Sequence, residues 1–359
     1  MPGVYISYPF CAQKCTYCNF ASGVFPREME ARYLKRLRAE IAEHEWEWRP
    51  ETVFLGGGTP SSLDPAALAE VLAIIPGRPW REATLEAAPG TVTPENVRAW
   101  VESGIDRVSL GVQSFVAPEI ARTGRKHSAQ TVAAEIAMLR QAGIGKINID
   151  LIAGLPGQTA VSWAESLGWI ERLAPDHVSV YMLEVDDDSR LGREILAGGA
   201  RYGAGDRPSE ELTADLYEMA VERLAALGRP RYEISNFAVA GHESRHNLKY
   251  WNLEPYTGFG ADAHSFDGRL RWQNPESVTE YLGKWSPLSS VRDPLEEHFF
   301  VGLRLTTGIR PETREWLHFR EPIRRFLEQG LLETDGANLR LTNRGVMLSN
   351  EVFQEFLTT

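Results

Sequence analysis

All three cysteines of the chain, Cys11, Cys15 and Cys18, fall within one stretch of eight residues. Three thiolates at C-x3-C-x2-C spacing can hold three irons of a [4Fe–4S] cube. The fourth iron is then left without a protein ligand and open to a small molecule. A disulfide framework fits poorly: the count is odd, the spacing is tight, and residues 1–10 lack the basic and apolar regions of a secretion signal. A zinc site would want a fourth ligand, and no nearby histidine supplies one.

Further along, Gly56-Gly57-Gly58-Thr59-Pro60 follows a β-rich run. Glycines at a strand end let the backbone approach a ligand and present N–H and C=O groups to it. Glu86, Gln113 and Asp150 stand at or just after later strand ends, and Arg125 lies in Gly124-Arg125-Lys126-His127. Each alone is unremarkable as a solvated charge or a cap.

The elements that must position these groups alternate. Strands are expected over 4–8, 52–55, 83–86, 107–111, 146–149 and 177–182, with helices over 27–48, 65–75, 94–103, 129–142 and 159–172. Such alternation predicts an α/β fold, with parallel strands and helices packed outside. Six repeats suggest a partial (β/α)6 barrel whose functional groups collect in the loops after the strands. Three regions are expected: the partial barrel over 1–185, an irregular helical and loop extension covering the barrel mouth over 186–286, and a small α+β domain over 287–359. In the last, helices near 295–304, 322–329 and from 343 surround a hairpin at 335–336, a pattern resembling a winged helix.

The segment from Pro9 to Cys18 resembles the signature of radical S-adenosylmethionine (SAM) proteins, and the glycine run resembles the family's GGGTP segment. The resemblance implies a [4Fe–4S] cluster on Cys11, Cys15 and Cys18, with SAM on its open iron. It places Gly57, Gly58 and Thr59 at the methionine amino group, Glu86 at the polar end of the methionine, and Gln113 and Asp150 at the ribose. Arg125 is placed at the carboxylate, where a guanidinium suits it. Tyr5, Tyr17 and Met182 are further SAM-contacting positions. One departure stands out: the family usually has His where this chain has Ser7.

Within that superfamily the whole chain resembles the oxygen-independent coproporphyrinogen III oxidase group, which contains two branches. One is a radical SAM dehydrogenase that oxidatively decarboxylates propionate side chains. The other is the HemW-type heme chaperone. Cys11 lies close to Met1, Phe20 stands where the dehydrogenase has another Cys, and His246-Asn247-Leu248-Lys249-Tyr250-Trp251 matches the HNxxYW motif of the chaperone branch. The resemblance therefore implies a chaperone that binds heme and passes it to an acceptor hemoprotein. His246, Asn247, Tyr250, Trp251 and His264 are the candidate heme contacts, with His246 as an axial ligand. The alternative remains the dehydrogenase.

Bulk properties agree. With 43% hydrophobic residues a substantial core is expected, and the formal net charge of −11 argues against nucleic acid as the main partner. No apolar run approaches bilayer length, though transient membrane association is compatible with the sequence. A reducing cytoplasm is the expected location.

Overall fold

The computed structural model describes residues 2–291 and 294–357. Six parallel strands lie side by side: β1 (Gly3–Tyr8), β2 (Thr52–Gly57), β3 (Glu82–Ala87), β4 (Arg107–Gln113), β5 (Lys146–Ala153) and β6 (His177–Met182). Between them run α1 (Arg27–Glu43), α2 (Pro65–Ala73), α3 (Pro94–Glu102), α4 (Ala117–Arg122), α5 (Ala129–Gln141) and α6 (Ala160–Leu173). Several of these helices begin on chemistry readable in the sequence. Asp64, Thr93, Ser128 and Thr159 each accept a hydrogen bond from the first turn, and Pro65 and Pro94 occupy positions where no N–H is needed.

A strand's side chains alternate between faces. Here Val4, Ile6, Val53, Leu55, Ala83, Leu85, Val108, Leu110, Ile147, Ile149, Val178 and Val180 are buried in the core shared with the helices. The opposite face carries Tyr5, Ser7, Thr84, Glu86, Ser109, Asn148, Asp150 and Ser179. Parallel strands covered by apolar layers on both faces read as continuous hydrophobic runs. These alternate, because their inner face lines a polar interior.

The stretch over 229–285, expected to be irregular, instead extends the sheet on both sides. It supplies β7 (Arg231–Glu233), β8 (Asn236–Ala238), β9 (Tyr256–Phe259), β10 (His264–Phe266) and β11 (Leu270–Gln273). With β12 (Leu288–Val291) the order becomes β12-β11-β10-β9-β1-β2-β3-β4-β5-β6-β8-β7. β9 runs parallel to β1, a seventh parallel strand, whereas β8 is antiparallel to β6.

The remaining helices are α7 (Arg190–Leu196), α8 (Glu210–Ala226), α9 (Arg245–Trp251), α10 (Val278–Tyr281), α11 (Pro294–Gly302), α12 (Thr313–His318), α13 (Arg320–Glu328), α14 (Asn343–Met347) and α15 (Ser349–Gln354). Of these, α9, α10 and α12 were not expected, nor was α4. α11 to α15 surround the hairpin of β13 (Leu332–Thr334) and β14 (Leu339–Leu341), whose turn is set by Asp335 Oδ1 accepting from the N–H groups of Ala337 and Asn338. Phe299, Phe319, Phe326 and Phe356 form the aromatic centre of this C-terminal unit. Among the described residues, no helix is long and apolar enough to cross a membrane.

Tyr33 of α1 ties β1 to the chain after β9. Its buried hydroxyl donates to the Ser7 carbonyl at 2.8 Å and accepts from the Ala261 N–H at 2.9 Å. Replacing it with phenylalanine leaves two buried backbone groups unpaired, so Tyr33→Phe is expected to cost about 1–3 kcal/mol. Urea unfolding followed by circular dichroism measures this, and an unchanged midpoint would contradict it.

Candidate functional site: a cysteine loop over a polar interior

The three cysteines occupy the loop after β1 and are half-buried and free. Backbone bonds pin this loop at several points. The Cys11 N–H donates to Gly23 at 2.8 Å, Gly23 to Pro9 at 2.9 Å, and Thr16 to Thr123 at 3.1 Å. The Thr16 hydroxyl adds a bond to the Arg122 carbonyl at 3.0 Å. On the other side, Leu191 of α7 donates to the Thr16 carbonyl at 2.8 Å. Of the extension over 186–286, the part around α7 therefore packs beside the cysteine loop.

Charge in the loop is set by burial and by one guanidinium. Burial pushes the Cys11 thiol up, against hydrogen bonds from Thr59 and Ser22 that pull it down. Arg125 donates from Nε to Cys15 Sγ at 3.3 Å and from Nη1 to the Gly111 carbonyl at 2.6 Å. Tyr17 packs against the same pair, and burial raises its phenol well above the ordinary range. Among the described residues, no trio of His, Cys, Asp or Glu is gathered closely enough to hold a single metal ion.

The other predicted groups converge on the same end of the sheet. Gly58 donates to the Tyr8 carbonyl at 2.7 Å and Thr59 to Phe10 at 3.0 Å, so the glycine run lies directly against the cysteine loop. A Cβ at Gly58 would sit 2.7 Å from the Phe10 oxygen, room that only glycine leaves. Gly57, at φ +106°, donates to Glu86 Oε2 at 3.2 Å. Gln113 sits at φ +70° where the β4–β5 register shifts, a left-handed conformation uncommon for a residue with a side chain. The shift lays its amide beside Arg125: a Cβ at Gly111 would meet Gln113 Nε2 at 3.1 Å and Arg125 Nη1 at 3.4 Å. Met182 ends β6, and Tyr5 lies near Glu86 on β1.

Asp150 is held by Ser109 at 3.1 Å and by Asn148 at 2.7 Å, and Asn148 also reaches Ser109 and Ser179. This polar buttress was not anticipated from the sequence, although polar residues at every second strand position signalled it. Burial raises the Asp150 carboxyl, and burial with the nearby Asp150 charge pushes Glu86 up to about 8. His127 is another strained group: burial, then the Arg125 charge, lowers it to about 4, and its Nε2 is buried without a partner.

Glu86 makes a test. An ordinary carboxyl ionises near 4.5, whereas Glu86 in the fold holds its proton to about 8. The unfolded chain releases that proton first, so folding stability drains away as pH rises from 4.5 to 8. Glu86→Gln is therefore expected to raise the melting temperature at pH 8, with the gain vanishing towards pH 4.5. Scanning calorimetry across that range measures it; a gain independent of pH would assign the effect to packing.

The candidate heme residues lie elsewhere. α9 packs across the beginnings of the strands: the His246 N–H donates to Glu82 Oε1 at 3.1 Å, and its Nδ1 meets Thr52 Oγ1 at 2.8 Å. The six residues of β1 separate that end from the cysteine loop by roughly 17 Å. His246 Nε2 is taken by the Tyr250 hydroxyl at 2.8 Å, and the imidazole, stacked on Phe54, is fully buried and lowered to about 3. So α9, which carries most of the heme candidates, closes the foot of the barrel and not the cysteine-bearing mouth. Asn247 bonds the Ser244 cap, and Trp251 stacks under Arg304, 4.4 Å from its ring, with the indole N–H buried and unpaired. His264 differs from these, being exposed at the start of β10.

Comparison with known proteins completes the description. A family model for the radical SAM superfamily matches residues 5–170, and one for the HemN C-terminal domain matches residues 290–348. Over 372 residues the chain is 33% identical to the heme chaperone HemW of Lactococcus lactis, covering 98% of this chain and 96% of that protein. With HemW of Bacillus subtilis the identity is 32% over 381 residues, covering 99% of both. The chain belongs to the HemW family of radical SAM proteins.

The bovine mitochondrial radical S-adenosyl methionine domain-containing protein 1 is also 30% identical, over 99% of this chain and 87% of its own length. In fold, the HemW-family chain is similar to the coproporphyrinogen III oxidase HemN of Escherichia coli. The TM-score is 0.84 at 22% identity, covering 99% of this chain and 90% of the other.

Proposed function

We propose that this chain is a heme chaperone that carries a [4Fe–4S] cluster and SAM and delivers heme to an acceptor hemoprotein. The observation that carries the cofactor part is the Arg125 bridge: one guanidinium bonds Cys15 and lies beside Gln113, just where the glycine run meets the loop. Cys11, Cys15 and Cys18 would hold the cluster. Tyr5, Tyr17, Gly57, Gly58, Thr59, Glu86, Gln113, Arg125, Asp150 and Met182 would surround SAM. When bound, this pair supplies one-electron chemistry. The residues here would bind and orient: the glycine run lays its backbone against the cysteine loop, Asp150 is fixed by Asn148 to accept hydroxyl donors, and Arg125 stands ready for a carboxylate.

The chaperone part is supported by whole-length similarity to proteins named for that role. Heme is proposed to engage the region of His246, Asn247, Tyr250 and Trp251, and His264. Between the histidines, His264 is exposed as it stands, whereas His246 would have to leave both Thr52 and Tyr250 to ligate iron. The chain is proposed to work in the cytoplasm.

The test is anaerobic reconstitution with iron and sulfide, followed by heme titration of wild type, His264→Ala and His246→Ala by the Soret band. Products from coproporphyrinogen III are assayed in the same samples. Saturable heme binding without porphyrinogen decarboxylation supports the chaperone. Stoichiometric decarboxylation without specific heme binding would make the protein the dehydrogenase instead.

A further inference from the structure

At the foot of the barrel, on the end opposite the cysteines, lies a cavity of about 310 Å³. It is lined by Arg81, Glu82, Arg107, Lys146, Glu243 and Arg245, together with Gly241 and His242. Four cations thus face two carboxylates, in a chain whose formal net charge is −11. Two of the cations are already paired: Arg81 with Glu51 at 2.8 Å, and Lys146 with Asp106. Glu82 is engaged by the His246 N–H at 3.1 Å.

Arg107 is different. Its residue is 2% exposed, yet the protein acceptor it has is the His242 carbonyl, 3.3 Å from Nη1. A guanidinium carries five donors, and none of those left on Arg107 is among the buried atoms cut off from solvent without a partner, so they stay open to the cavity. Among the described residues no further protein acceptor is found for Arg107, and no carboxylate pairs with Arg245, which is exposed on the rim. A planar guanidinium at the base of a cavity, with a second at its mouth, suits an oxyanion bound through paired hydrogen bonds.

We propose that this foot cavity is a binding site for an oxyanion group, held by Arg107 from within and by Lys146 and Arg245 from the rim. The group belongs either to a free phosphate-type anion or to a propionate carboxylate of heme, whose proposed helix α9 begins at the same rim. The heme source rests on the function proposed above; the phosphate source does not.

The experiment uses the full chain and two arms at matched ionic strength and pH. In the first, inorganic phosphate is titrated by calorimetry into wild type, Arg245→Gln and Lys146→Gln, with sodium chloride as control. In the second, heme is compared with heme dimethyl ester, which lacks the free carboxylates, on the same proteins. Saturable phosphate binding weakened at least tenfold in the variants establishes the site for a free anion. A preference of wild type for heme over its ester, lost in both variants, assigns it to propionate. Arg107→Lys, retaining charge but not the fork, should weaken whichever ligand binds. Variants that match wild type in both arms overturn the proposal, as does binding reproduced by chloride. Heme that binds without discriminating the ester, alongside variant-sensitive phosphate binding, separates failure of the heme source from failure of the site.

Discussion

Gly58→Ala is expected to cost the protein the cluster proposed for it. The added Cβ would stand 2.7 Å from the Phe10 oxygen and 2.8 Å from the Pro9 carbonyl carbon. Both are backbone atoms, so no rotamer change relieves the clash. The same few residues are tied together by the Gly58–Tyr8 and Thr59–Phe10 hydrogen bonds, which leaves the loop of Cys11 as the part that must move. Three thiolates can share one inorganic cube only at fixed separations, and a displaced Cys11 breaks that geometry. Iron and sulfide per chain after anaerobic reconstitution should fall to a small fraction of wild type, together with the visible absorbance. Gly90→Ala is the control: unlike Gly58 it lies at a positive φ, +97°, but a Cβ there meets nothing within 4 Å. Some stability is lost in that variant through backbone strain, while cluster loading should remain. Full loading of Gly58→Ala would show that the loop adapts and that the glycine is not required by this contact.

His246→Ala is expected to destabilise the fold by about 2–4 kcal/mol, whether or not heme is present. The imidazole is fully buried against Phe54, and its loss leaves a cavity beside the Thr52 and Tyr250 hydroxyls, which lose their partner. The effect also has a pH signature. Burial, with Lys249 nearby, lowers His246 from 6.5 to about 3, so the folded state refuses a proton that the unfolded chain accepts. Its contribution is complete above pH 6.5 and declines as pH falls towards 3, at up to about 1.4 kcal/mol per pH unit. His127 and His177, both lowered by burial, act in the same sense, and Glu86 acts in the opposite one. The urea midpoint of the His246 variant should therefore depend less steeply on pH between 6.5 and 4 than that of wild type. Equal steepness would mean that the histidine titrates normally. Heme binding lost only in proportion to unfolding would mark His246 as a support of α9 and leave His264 as the iron ligand to test.

The elements that carry the chemistry were legible because each repeats a strong local pattern. The six parallel strands alternate apolar and polar residues, and their helices start at Asp64, Thr93, Ser128 and Thr159, all recognisable caps. Motif spacing then located the cysteine loop and the glycine run at strand ends, where the structure has them. β7 to β10 escaped because each is only three or four residues long, too short for periodicity to register, and β9 contains Gly258. Their order is decided by long-range pairing, which no local signal encodes. The same limit hid the position of α9. His246, Tyr250 and Trp251 have the chemistry of a heme pocket in sequence, but which end of the barrel they close depends on contacts with Gly3, Thr52 and Glu82, far away in the chain. Asp150 and its neighbours could have been read further: Ser109, Asn148 and Ser179 recur at inward positions, and only the cross-strand register shows that they meet.

The pairing of β9 with β1 has a consequence for biosynthesis. β1 leads into the cysteine loop, and its two sheet neighbours are β2, at Thr52–Gly57, and β9, at Tyr256–Phe259. A ribosome releases the three cysteines first and one flank of their strand soon after, but the other flank emerges some two hundred residues later. At elongation rates of about 5–20 residues per second, that interval lasts on the order of ten seconds or more. Throughout it, the thiols stand on a strand with an open edge, without the lock that Tyr33 makes between Ser7 and Ala261. Loading of the proposed cluster is therefore expected to await completion of the chain, and a nascent chain stalled before β9 would present its cysteines to oxidants without a finished cradle around them.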